Sequence, residues 1–164
     1  AIELIAEYLP RAVADGSDKE ARNNMAIANT LAGYYMLCTS EHTMEHALGS
    51  AHPELVHGAG LIMISHEYFG FFAERKCCEG QMAKMARAMG VEGAAGGADF
   101  VAALDMLIAD VNCAELRMSD YGITREELPG VVAKYHEVWG GNNDADPVKL
   151  TDEDVLGMLE RSYK

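Results

Sequence analysis

Ser40-Glu-His-Thr-Met-Glu-His-Ala-Leu-Gly-Ser-Ala-His-Pro-Glu-Leu-Val-His-Gly-Ala-Gly60 holds four of the chain's six histidines, at positions 42, 46, 52 and 57. Neutral imidazole is the commonest side-chain metal ligand and titrates nearest neutral pH, so such a cluster points to a metal or proton-transfer site. Neither arm of the stretch alternates with the two-residue period of a strand. A helix over 41–49 puts His42 and His46, four residues apart, on one face. The same spacing occurs on half-exposed helix faces that hold no ion, so the pair alone leaves both readings open. Pro53 pushes His52 out of the helical region, which predicts a turn there, with His52 as a solvated turn residue. His57-Gly58 then opens a second helix, and His57 reaches the first pair from a separate element. Glycine after that histidine lets backbone approach a bound group closely.

Working outward, the segment from about Val56 to Glu74 is apolar and long, without strand alternation, and predicts a buried helix. His66 inside it reads as a hydrogen-bonded core residue, and Tyr68, Phe69, Phe71 and Phe72 as core aromatics. Upstream, a first helix is expected over about Ile2 to Val13, kinked or shifted at Pro10. Ser17 or Asp18 can cap the next, from about Lys19 to Cys38, which reads as buried on most faces after Asn24. Thr39 or Ser40 offers a cap for the histidine-bearing helix. Downstream, helices are expected over about Glu79 to Met89 and Phe100 to Cys113, separated by a loop at 92–97. Thr124 and Glu127 form a reciprocal cap, with Pro129 forcing a kink or a delayed start, and that helix should reach about Trp139. The run Gly140 to Pro147 reads as a linker, and Thr151 caps a last helix to about Ser162. The expected fold is a single all-α bundle of seven to nine helices, one domain over residues 1–164.

A chain of 164 residues with 49% hydrophobic content is long enough to bury one core. Its formal net charge of -13 would be repelled by nucleic acid and by anionic membrane surfaces, so neither is expected as a partner. No run approaches the roughly 20 apolar residues of a membrane span. The four cysteines make no CxxC pair and read as free, mostly buried thiols in a reducing cytoplasm, which suits the ten methionines.

The pattern His42-x-x-x-His46-Ala47-Leu48-Gly49 followed by His57-Gly58 resembles the signature of the iron-containing (group III) alcohol dehydrogenases, in their C-terminal helical domain. Leu4 to Val13, Ala21 to Gly33 and Leu150 to Leu156 fit the same resemblance, which therefore spans nearly the whole chain. It implies the dehydroquinate synthase-like helical fold. It also implies a metal, Fe2+ with Zn2+ as the alternative, held by one aspartate and three histidines in a cleft between a nucleotide-binding domain and this helical one. Matched residue by residue, His42 and His57 fall on two of the metal ligands. His46 falls on a histidine that lies beside substrate and nicotinamide and relays protons, although spacing alone would have made it a ligand. Small alcohols and aldehydes as substrates, NAD or NADP bound mainly by the other domain, and a homodimer are implied as well.

The family's Asp-x-x-x-His pair and its glycine-rich dinucleotide loop are not in this sequence. The expectation is therefore a C-terminal piece of a longer enzyme, lacking the N-terminal nucleotide-binding domain and inactive by itself. Glu41 and Glu45 read as outward groups or as carboxylates beside the ligands, and Glu45 could orient an imidazole by accepting its spare N–H. Two other functions fit the residues: a metal-dependent lyase or synthase on the same scaffold, and a helical interaction module with polar core histidines.

Overall fold

A computed structural model describes residues 1–34, 37–138 and 143–164. Among these the chain is all-α, as expected, with eight α-helices: α1 (Ile2–Ala14), α2 (Lys19–Gly33), α3 (Ser40–Ala51), α4 (His57–Glu74), α5 (Glu79–Ala88), α6 (Gly97–Asp110), α7 (Leu128–Glu137) and α8 (Asp152–Ser162). Short 3-10 turns lie at Met118–Tyr121, Arg125–Glu127 and Asn143–Ala145. No helix among the described residues is long and apolar enough to cross a membrane. The chain divides into two compact units, residues 1–36 with 78–114 and residues 37–77 with 115–164.

In the first unit α1 packs on α2 and α5 on α6. Asp18 caps α2 by accepting the Ala21 N–H at 3.0 Å, and Arg11 anchors the turn with bonds to Asp18 and Glu20. The bond missing at Pro10 does not end α1, which runs on to Ala14. Two expectations for α2 are corrected. It stops at Gly33, the poorest ordinary helix former, and a Cβ there would meet nothing. It is also not buried on most faces: only Ala21 and Ala28 are fully covered, while Ile27 and Leu31 are half exposed. Small alanines alone give α2 a narrow buried stripe. At α6, Asp99 accepts the N–H groups of Ala95 and Gly96 while Glu79 accepts that of Gly97. That capping starts the helix at Gly97, ahead of the Phe100 read from apolar periodicity.

In the second unit α3 packs on α4 and α7, and α4 and α7 both pack on α8. Met44, Leu48, Ile64, Phe72, Tyr135 and Leu159 are among its fully buried side chains. Tyr68 and Phe71 each meet Phe72 edge to face, at 5.0 and 5.2 Å between ring centroids. The aromatic core is as expected for Tyr68, Phe71 and Phe72, whereas Phe69 is only half-buried and His66 is not part of it: it is exposed on the opposite side of α4. Thr124 and Glu127 do form the reciprocal cap, and a 3-10 turn delays α7 to Leu128, so that Pro129 falls in the first turn where its missing N–H is harmless. Trp139 and the first three residues of the expected linker lie outside the described residues. Asp146 within that segment is no linker residue: it is bonded into the unit, as described below. Thr151 and Asp154 cap α8 reciprocally. Among the described residues no cysteine forms a disulfide, as expected, but none is buried: Cys77 is exposed and the other three half-buried, because each lies in a connection outside the helix interiors.

Candidate metal centre

α3 has two faces with different work. Ser40, Thr43, Met44, Ala47 and Leu48 are buried, and one turn around the helix His42 and His46 point away from them. The helix ends at Ala51 because His52, ahead of proline, takes φ -127° and ψ 77°. A turn over 53–56 then delivers His57 as the first residue of α4, on the same side as the α3 pair.

The Nε2 atoms of His42 and His46 lie 2.9 Å apart, and the His57 ring centroid is 4.8 Å from that of His42 and 5.2 Å from that of His46. One ring nitrogen from each of the three lies within 4.8 Å of the others. The remaining histidines stand elsewhere. His52 is not solvated: it is half-buried, with Nε2 3.5 Å from Glu127 Oε1 on the start of α7. His136 Nε2 lies 2.7 Å from Asp152 Oδ1.

Glu45, on α3 between the two histidines, is buried to 3% exposure, and its Oε2 meets His57 Nδ1 in a short contact. Burial first, then the neighbouring His46 and His57, lowers the pKa of His42, which favours the neutral imidazole with a free lone pair. Three clustered imidazoles, one of them tied down by a carboxylate, form a donor set suited to a borderline divalent ion such as iron or zinc.

Beneath α3 lies a polar seam that sequence reasoning missed. The Tyr68 hydroxyl donates to Asp146 Oδ1 at 2.6 Å, and the Ser40 N–H donates to the same oxygen at 3.2 Å. Burial, and then the bond to Asp146, hold the Tyr68 hydroxyl well above its ordinary pKa. Glu41, instead of pointing outward, is largely covered. Burial, reinforced by the Asp146 carboxylate, pushes its acid up to about 8. The only sequence signal for this seam was Asp146-Pro147 itself, which turn chemistry explained equally well.

A profile described as "Fe-containing alcohol dehydrogenase family, C-terminal" matches residues 1–163. The chain is 29% identical to the long-chain primary alcohol dehydrogenase AdhA of Thermoanaerobacter ethanolicus and 30% identical to long-chain-alcohol dehydrogenase 1 of Geobacillus thermodenitrificans. Each match covers 99% of this chain and 42% of the relative. Among solved structures, the archaeal halo-thermophilic Red Sea brine pool alcohol dehydrogenase ADH/D1 bound to NZQ superposes with a TM-score of 0.90 at 28% identity, over 98% of this chain and 42% of that one. The chain therefore spans about two fifths of the length of these relatives. With helices, histidine cluster and profile in agreement over 163 residues, this chain belongs to the iron-containing alcohol dehydrogenase family and corresponds to its C-terminal, helical part.

Proposed function

We propose that the chain is the metal-binding helical half of an NAD(P)-dependent alcohol dehydrogenase that interconverts alcohols and aldehydes by hydride transfer. The observation that carries this is the convergence of His42, His46 and His57 from two helices. His42 and His57 are the two metal ligands in this reading. The chemistry supplied by a bound divalent ion, iron with zinc as the alternative, is Lewis acidity toward the alcohol oxygen, and NAD(P) supplies the hydride acceptor. His46, whose Nε2 sits 2.9 Å from that of His42, takes up the alcohol's proton and passes it to solvent, reversing this for aldehyde reduction. Asp and His partners for the ion, and most of the nucleotide site, belong to an N-terminal domain in the longer protein, which we take to be a cytoplasmic homodimer. The lyase and interaction-module readings have no observation of their own.

Two measurements test the proposal. The 164-residue chain alone should show no NAD(P)-linked alcohol oxidation, because two ligands of four leave the site half built; turnover by it would refute the division of labour. In the longer protein, His57→Ala should abolish stoichiometric metal, whereas retained metal with full activity would remove His57 from the ligand set.

A further inference from the structure

An isolated carboxylate is costly to bury, so Glu45 at 3% exposure requires a strong partner. Its partner is the His57 ring at the start of α4, and the contact ties together the two elements that carry the histidines. The contact also selects a ring nitrogen. With Nδ1–H donated to Glu45, the His57 lone pair is left on Nε2.

Room for the carboxylate is made by Gly60, nearly one turn into α4. A Cβ there would lie 2.6 Å from Glu45 Cγ, 3.0 Å from its Oε1 and 3.2 Å from Leu55 Cδ2. The first of these is closer than Cβ atoms come to anything, so Glu45 as it is seated requires a bare position 60. Helix packing alone would need neither: a small apolar residue at 45 facing alanine at 60 would fill the space without burying a charge.

We infer that Glu45 is a positioning residue: seated in the niche left by Gly60, its carboxylate fixes the His57 ring as the Nδ1–H tautomer and turns Nε2 toward the ion. This rests on His57 being a metal ligand, as proposed above. The His57 side chain is 49% exposed, and besides the bond to Glu45 its ring meets only the His42 and His46 rings in the contacts described above, so losing the bond should fall on metal affinity.

The test uses the 164-residue chain with Zn2+ as probe, titrated against a chromophoric chelator, and long-range 1H–15N spectra of the metal-free chain. The wild type should show His57 as the Nδ1–H tautomer. Glu45→Ala should give a tautomer mixture and weaken zinc binding about 10–100-fold. Gly60→Ala, which touches no histidine, should weaken it comparably by displacing Glu45. The double variant E45A/G60A should regain thermal stability relative to E45A but not zinc affinity. Recovery of zinc affinity in the double variant would show that Glu45 merely fills space and would overturn the inference, as would an Nε2–H tautomer in the wild type. The ligand reading is tested separately by His57→Ala in the longer protein, and where the 164-residue chain, with its half-built site, binds zinc too weakly to titrate, the tautomer shift between wild type and E45A decides whether Glu45 positions the ring.

Discussion

Asp146 offers a stability prediction that can be worked from the atoms around it. Its Oδ1 accepts from Tyr68 Oη at 2.6 Å and from the Ser40 N–H at 3.2 Å, while its Oδ2 is buried with no hydrogen-bond partner. A buried acceptor left unpaired costs about 1–3 kcal/mol. Asp146→Asn keeps Oδ1 for both donors and removes a negative charge that opposes Glu41, while its N–H2 stands as unpartnered as the oxygen it replaces. The variant should therefore be more stable by about 1 kcal/mol at neutral pH, the gain coming from the removed charge. Asp146→Ala is the contrasting change, because it removes the carboxylate that accepts from the buried Tyr68 hydroxyl and the Ser40 N–H. It should lose about 1–3 kcal/mol for the hydroxyl alone. Urea unfolding followed by far-UV circular dichroism measures both, and the asparagine variant should shift the midpoint without changing the slope. If Asp146→Asn proved destabilising by more than about 1 kcal/mol, the reasoning from charge repulsion with Glu41 would be wrong.

Two further outcomes follow from neighbouring residues. Glu41 has its acid at about 8 in the folded chain against an ordinary 4.5, so the folded state holds the extra proton between those values and stability falls as pH rises through that window. Glu41→Gln should abolish that fall, leaving the metal-free variant more stable than wild type by on the order of 1–3 kcal/mol at pH 9 and little different at pH 5; melting temperatures across that range that run parallel would contradict it. Leu48 is completely buried on the core face of α3, so Leu48→Ala should cost about 2–5 kcal/mol. For a chain of this size that lowers the melting midpoint by roughly 5–15 °C, read by calorimetry, and a shift under 2 °C would mean α3 is not anchored as described.

Helix existence was legible wherever local chemistry and periodicity agreed. Thr124 with Glu127 and Thr151 with Asp154 announce caps that the structure contains, and Pro53 after His52 marks the break between α3 and α4. Burial was less legible, because it depends on what a helix packs against. α2 looked apolar but covers only alanines, and His66 sits in an apolar run yet faces out. The convergence of His42, His46 and His57 could be anticipated from one turn and one spacing. Asp146 could not, since the two donors it accepts from lie 78 and 106 residues away in sequence at Tyr68 and Ser40, and nothing local distinguishes a tethered Asp-Pro from a loose one.

That long-range tether bears on how the centre is held. His42 and His46 ride on α3, and a helix that carries ligands must be fixed both in rotation and along its axis, since about 1 Å of error degrades a metal or catalytic site. Rotation is set by Met44 and Leu48, both fully buried on the face away from the rings. Axial placement has two pins of a different kind. At the N-terminal end the Ser40 N–H is held by Asp146, which is itself held by Tyr68 of α4. At mid-helix Glu45 grips His57, again on α4. Both pins cross from α3 to α4, so the three rings move as one rigid piece, and slackening either pin should disturb their spacing before it unfolds the unit. On this argument Tyr68→Phe, which removes the hydroxyl bonded to Asp146 and keeps the aromatic packing, belongs with the variants that loosen the site through its frame.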